Sequence, residues 1–231
     1  SLVTEIMKNL EKANRRARFT LRFIVRSDST LRGHFPLELS VVRERCDRRV
    51  DAVFVIPAFF EGNRITKDGV HYIVEEGAYV RCDQTPFARD SVFGYRSSYL
   101  PEYIGEKTGT PARDVVILTP SGIADDDGLE VGARIEGLSG GPYVAVNAGG
   151  YPELDRFTAA CRRAEADGKF FLYQSAASFV KSYVQSPHRP YLGGRRDRGA
   201  AASQGPGSDP GPGDEQPGGP GIVIAGSYVP Q

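Results

Sequence analysis

The sequence contains no tryptophan, one methionine, three cysteines and three histidines in 231 residues. Cys46, Cys82 and Cys161 lie far apart and leave one thiol unpaired in any disulfide scheme. No CxxC pair or zinc-type Cys/His spacing occurs, so they read as the reduced thiols of a cytoplasmic protein. No apolar run approaches the roughly 18 residues of a membrane span, and no signal-peptide core is present, so neither a membrane partner nor secretion is expected. Net charge is absent too, because 29 Lys plus Arg balance 29 Asp plus Glu. Without a global positive field there is no electrostatic reason to expect nucleic acid as a partner, and the basic run at 43–49 reads as a solvated helix face. Neither a Walker A loop nor GxGxxG is found.

What is present is a recurring order of short elements. Leu2, Ile6, Leu10 and Ala13 stand at helical spacing, which predicts an amphipathic helix over 2–17. Residues 19–26 alternate Phe19, Leu21, Phe23 and Val25 with polar neighbours, as a strand does. A polar turn over 27–34 follows, then a helix from Pro36 to about 49. The runs 52–56, 115–118, 143–146 and 170–173 are short and apolar, the signature of strands buried on both faces. Residues 57–69 read as an irregular polar loop ending in an Asp68-Gly69 turn, with 71–74 and 78–82 forming a hairpin outside the main sheet. Further helices are predicted over about 97–107, 152–167 and 176–184. This order predicts an α/β fold: a mostly parallel sheet with helices on both faces, in a Rossmann-like three-layer arrangement. Ligands of such sheets bind beyond the carboxyl ends of the strands. That singles out the loops 27–34, 57–68, 119–124 and 147–150.

After residue 185 the composition turns to Gly, Pro, Asp, Arg, Ser and Ala. Such a segment cannot bury enough surface to offset its ordering entropy. The expected division is therefore a domain at 1–185, a disordered linker at 186–220 and a segment at 221–231 whose apolar run 222–225 opens a second domain.

Chemistry concentrates first at Asp28-Ser29-Thr30-Leu31-Arg32-Gly33. Ser29 and Thr30 offer hydroxyls, Gly33 permits close backbone approach, and Arg32 is a planar fork suited to carboxylate or phosphate. Asp28 can accept a substrate hydroxyl's hydrogen bond or its proton, and a helix starting just beyond would add free amides for an anion. The plain alternative is a capped turn with Arg32 paired to a nearby Glu. Arg64, Thr66, Lys67 and His71 form a second candidate anion site, although spacing alone favours a surface loop with a hairpin turn. The triple acid Asp125–Asp127 lacks the alternating ligands of a calcium loop. Gly137-Leu138-Ser139-Gly140-Gly141 matches GxSxG, but a strand follows where a nucleophile elbow needs a helix, so it reads as a turn, as does Asn147-Ala148-Gly149-Gly150. Tyr173-Gln174-Ser175 leads into Ala176-Ala177-Ser178-Phe179, hydroxyls before an apolar helix that read as a cap.

Four blocks taken together resemble the four-carbon acid sugar kinase family: Asp28 to Gly33; Pro57-Ala58-Phe59 with Arg64-Ile65-Thr66 and Asp68-Gly69-Val70; Thr85 to Asp90; and Arg96 to Leu100. Residues 221–230, with Ala225-Gly226-Ser227-Tyr228, resemble the entry to that family's nucleotide-binding domain. The resemblance implies ATP-dependent phosphorylation, with Mg2+, of an erythronate-, threonate- or oxo-tetronate-type acid. It implies that Asp28, Ser29, Thr30, Leu31 and Arg32 hold the sugar acid and that Ser227 is a first ATP contact; from the residue reading, Arg64 joins the expected substrate-binding set and Asp28 is the candidate for a catalytic role. The family's opening Asp-Asp-x-Thr-Gly segment and most of its ATP site are not in this sequence. A chain shortened at both ends, inactive by itself and open to self-association through an uncovered sheet edge, is therefore expected. The competing expectations are a non-catalytic module that binds a small carboxylate and an unrelated α/β hydrolase built on Ser139.

Overall fold

Ala52–Ile56 (β2) is apolar at every position, and all five of its residues are buried. An all-apolar strand has no face to offer water, so it must lie between two layers of helix. The computed structural model, which describes residues 2–120, 129–186 and 221–226, places it so. Leu21–Arg26 (β1), Val116–Leu118 (β6), Tyr143–Val146 (β7), Phe171–Ser175 (β8) and Gly221–Gly226 (β9) join β2 in one sheet of order β6-β7-β2-β8-β1-β9. Every ladder in it is parallel. Alternate residues of each strand point to opposite faces, and two cores result. Val53, Val55, Val25 and Leu172 pack under Leu2–Ala17 (α1), Leu37–Arg45 (α2) and Leu100–Thr108 (α3). Ala52, Phe54, Ile56 and Tyr173 pack under Leu129–Glu136 (α4), Tyr151–Ala166 (α5) and Ala177–Tyr183 (α6). The three-layer α/β expectation is met.

Several boundaries differ from the sequence reading, each for a local reason. β1 starts at Leu21, because the backbone of Phe19 is taken by the Asn14 side chain, at 2.8 Å through its N–H and 3.0 Å through its C=O. On α1 the buried residue is Met7, flanked by partly covered Val3 and Leu10, while Leu2 and Ile6 face solvent. The helix presents its 3-7-10 row to the sheet rather than the expected 2-6-10-13 row. α2 ends at Arg45, where Cys46 turns to extended backbone. The segment 57–69 is not wholly irregular: Arg64–Lys67 (β3) pairs antiparallel with Val70–Glu75 (β4), which pairs with Ala78–Arg81 (β5). The joint is Asp68-Gly69 with φ of 51° and 76°, the left-handed pair of a tight hairpin. Gly69 is required there, since a Cβ would stand 2.7 Å from the Tyr99 ring. β8 runs two residues past its apolar stretch and carries Gln174 and Ser175 into the buried sheet.

The α5–α6 side also encloses a charge. Arg22 Nε lies 3.2 Å from Glu165, Arg22 Nη2 donates to the Glu165 carbonyl at 3.1 Å, and Tyr173 donates to Glu165 Oε1 at 2.9 Å. Tyr183 donates to the other carboxylate oxygen. Burial pushes the Glu165 carboxyl up, and Tyr183, Arg22 and Tyr173 pull it back. Breaking one side of such a pair leaves a buried charge uncompensated, which typically costs about 3–5 kcal/mol, whereas removing both partners is far milder. In urea denaturation Arg22→Met is expected to destabilise by about 3 kcal/mol, and Arg22→Met with Glu165→Gln to recover most of that loss.

Candidate functional site

The polar chain after β1 folds back over the carboxyl ends of the strands. Ser27 N–H donates to the Ser175 carbonyl at 2.9 Å, tying the loop to β8. Thr30 is buried and its hydroxyl donates to Asp28. Arg32 Nε donates to Asp28 Oδ2 at 2.8 Å and lies 3.1 Å from Thr30 Oγ1. Asp28, Thr30 and Arg32 therefore form one unit. The guanidinium also stands over the Phe87 ring, and its Nη1 is 3.6 Å from Asp90. The backbone N–H groups of Phe93 and Val92 hold the Asp90 carboxyl below its ordinary range, with Arg32 a smaller contribution. Arg32 is thus paired, as the plainer reading anticipated, but with two aspartates rather than a Glu.

Between these residues the backbone makes a left-handed step at Leu31, φ 67°, and another at Gly33, φ 122°. A left-handed Leu costs about 1–2 kcal/mol. Burial of its side chain and a 2.9 Å hydrogen bond from Tyr103 Oη to its carbonyl offset that cost. α2 begins at Leu37, whose N–H is already taken by the His34 carbonyl, so the free helix amides expected beside the loop are not all available.

The three-stranded β3–β5 sheet reaches the same region from the other side. Thr66 exchanges backbone hydrogen bonds with Ala148, at 3.0 and 2.9 Å. Asn147 accepts from Gly69 N–H at 2.8 Å and donates to Thr119 Oγ1 at 2.7 Å, so this residue, read as turn chemistry, is a buried joint between two loops. His71 is fully enclosed between the layers. Its Nε2 is 2.8 Å from the Ser29 carbonyl, which can only accept, so Nε2 carries the proton and Nδ1 accepts from Thr66 Oγ1 at 3.0 Å. Burial, aided by the nearby Arg64 charge, lowers the His71 pKa to about 4 against the pull of Ser29. Thr66 and His71 are therefore internal ties and do not line an anion site. Lys67 lies on the outside, 5.8 Å over the Tyr79 ring.

Of the eight buried polar side-chain atoms without a partner among the described residues, five are Arg26 Nε, Arg64 Nε, Ser175 Oγ and both side-chain heteroatoms of Gln174; the other three are Glu38 Oε2, Ser98 Oγ and Arg156 Nε. A cavity of about 10 Å³ lies beside Asp28, walled by Ser27, Leu31, Val55, Tyr103 and Gln174. Asp28, Ser29, Thr30, Leu31 and Arg32 are thus brought together. Arg64 is close enough to act on His71 and on the Cys82 thiol, which burial pushes up to about 12. Sequence reasoning gave no role to Asp90 or Tyr103, although Asp90 lies in one of the quoted blocks, and placed Gln174 only in a segment read as a helix cap. Ser139 is exposed in the turn between α4 and β7, at the amino end of a strand and away from this cluster. No group of three or more His, Cys, Asp or Glu suited to a metal occurs among the described residues, and no described helix is long and apolar enough to cross a membrane. Ser227, the Asp125–Asp127 run and the linker 187–220 lie outside the described residues.

A family model described as a sugar-binding N-terminal domain matches residues 1–183. No curated protein matches the chain. Among solved structures, a domain of unknown function (DUF1537) from Bordetella bronchiseptica, a domain-swapped dimer with bound citrate, is similar in two crystal forms. In each the TM-score is 0.56 and the identity 22% over 78% of this chain. The chain spans 39% and 38% of the length of those two structures. At this identity the likeness is one of fold.

His71 makes the site's integrity depend on pH. An unfolded chain takes up a proton at this histidine below about pH 6.5, while the native protein resists until about 4. The stability is intact above pH 6.5, is lost as pH falls through that window, and the loss levels off below 4, amounting to roughly 3 kcal/mol. His71→Gln can keep both hydrogen bonds without titrating. Denaturation between pH 7 and 4.5 is expected to show a shallower loss in this variant than in the parent. Equal slopes would mean that His71 is not held neutral.

Proposed function

The chain belongs to the family of sugar-binding N-terminal domains, and on that premise we propose that it holds a four-carbon sugar acid for an ATP-dependent kinase. The observation that carries the reading is the single hydrogen-bonded unit of Asp28, Thr30 and Arg32 at the carboxyl end of the central strands. The citrate in the Bordetella bronchiseptica structure supports it, since citrate is a small hydroxylated carboxylate.

Of the two carboxylates facing Arg32, Asp28 makes a hydrogen bond at 2.8 Å and fixes the fork. Asp90 at 3.6 Å from Nη1 is too far for one. The Nη edge is therefore where an acid's carboxylate exchanges with Asp90 and gains a charge-assisted contact. Asp28 then serves as acceptor for a substrate hydroxyl, the group whose proton must leave if that hydroxyl is phosphorylated. Tyr103 and His71 act through the loop: one fixes the Leu31 carbonyl, the other the Ser29 carbonyl.

The described residues do not by themselves fit a nucleotide. They include no group of three or more His, Cys, Asp or Glu suited to a metal, and neither a Walker A loop nor GxGxxG stands in the sequence. ATP and Mg2+ belong to the proposal for the whole protein, and no step is drawn through them. A non-catalytic carboxylate-binding module would share this half-site and differ only in what accompanies it.

In thermal-shift titration of the 231-residue chain with four-carbon sugar acids and citrate, one acid is expected to raise Tm by several degrees at about 100 Kd. Arg32→Ala should abolish that shift, and Asp28→Asn should reduce it for hydroxylated acids. Absence of a shift with every acid would sink the reading.

A further inference from the structure

Gln174 is the penultimate residue of β8, between Val25 of β1 and Val55 of β2 in the ladder. It is 4% exposed, and both heteroatoms of its carboxamide are buried without a partner among the described residues. Such a group costs free energy unless something beyond the described residues satisfies it. It faces the cavity beside Asp28, whose remaining wall is largely apolar: Leu31, Val55 and the Tyr103 ring. Placing a glutamine in the middle strand of a covered parallel sheet has no packing rationale, since the neighbouring strand positions are Val25 and Val55.

Resting on the sugar-acid reading, we propose that Gln174 is a specificity-determining residue whose carboxamide reads one hydroxyl of the acid inside this cavity. The size and polarity select that group. A space of about 10 Å³ is near the minimum for one water-sized oxygen, which suits a hydroxyl better than a carboxylate. A hydroxyl both donates and accepts, and the wall offers an amide N–H₂, an amide carbonyl and the Asp28 carboxylate. A carboxylate beside Asp28 would meet like charge, so the acid lies with a hydroxyl inward and its carboxylate outward toward Arg32. Recognition by a neutral amide in the cavity and by Arg32, which is hydrogen-bonded to Asp28 of the cavity wall, distinguishes a hydroxylated acid from a plain one of the same length.

Calorimetric titration of the full chain with threonate and erythronate, and with butyrate as the hydroxyl-free control, tests this. Gln174→Met keeps length and removes the amide. The better-bound hydroxylated acid is expected to lose about tenfold or more in affinity, with butyrate unchanged and the ligand-free Tm the same or higher. Gln174→Asn, which withdraws the amide by one methylene, is expected to show the same selective loss and covers the case that the Met variant does not fold. Unaltered affinity for the hydroxylated acid in a folded variant would overturn the assignment, leaving the amide to hold a water, while acid binding and its dependence on Arg32 would stand. Failure of the parent chain to bind any acid would instead remove the sugar-acid reading, and this inference with it.

Discussion

Helices cover both faces of the parallel sheet, and that cover decides where polar chemistry can sit. β2 is buried from end to end, and so is β8. Polar side chains are therefore pushed to the strand termini or drawn into closed networks such as the one around Glu165. The chain's buried polar residues divide accordingly. Arg22 and Glu165 neutralise each other beneath α5. Thr30, Thr66, His71 and Asn147 gather above the carboxyl ends, each satisfied by a backbone or side-chain partner. Gln174 and Ser175 end β8 without partners among the described residues, which is what separates them from the structural set.

His71 is the knot of this upper region. One imidazole holds the Ser29 carbonyl on one side and the Thr66 hydroxyl on the other, and Thr66 in turn is paired to Ala148. Three chain segments far apart in sequence meet within a few ångströms. The loop carrying Asp28 and Arg32 thereby gains an anchor that none of its own residues provides. A neutral ring is needed for this, because an imidazolium has no lone pair for Thr66. Low pKa and rigid loop are two aspects of one arrangement.

The sheet was legible because most of its strands contain short apolar runs and β1 alternates, and period and length settle such elements. The loop at Asp28–Gly33 stood out in the sequence for its acid, hydroxyls and planar cation, and the structure joins Asp28, Thr30 and Arg32 in one hydrogen-bonded unit. Less readable were features whose cause lies elsewhere in the chain. Among its described side chains α4 buries Val131 and Ile135, too little pattern to register. β3 is made a strand by a neighbour across the Asp68-Gly69 turn and by Ala148, neither visible in residues 64–67. Arg32's pairing with Asp90 spans 58 positions, and no local spacing signals it. Gln174 follows an apolar run and looked like the start of a cap. Only the ladder, which continues to Ser175, shows that it is inside the sheet.

The strand order also has a temporal side. β8, residues 171–175, is the strand that separates β1 from β2 and pairs with both. A ribosome releases β1 and β2 long before it releases their common neighbour, and β2's other partner, β7, begins only at residue 143. During synthesis β2 therefore waits without a ladder from residue 56 until β7 begins at 143, and β1 from residue 26 until β8 begins at 171. The nascent chain is most exposed to mispairing in that interval, and the arrival of Phe171–Ser175 joins β1 to β2, with β9 still to add beside β1.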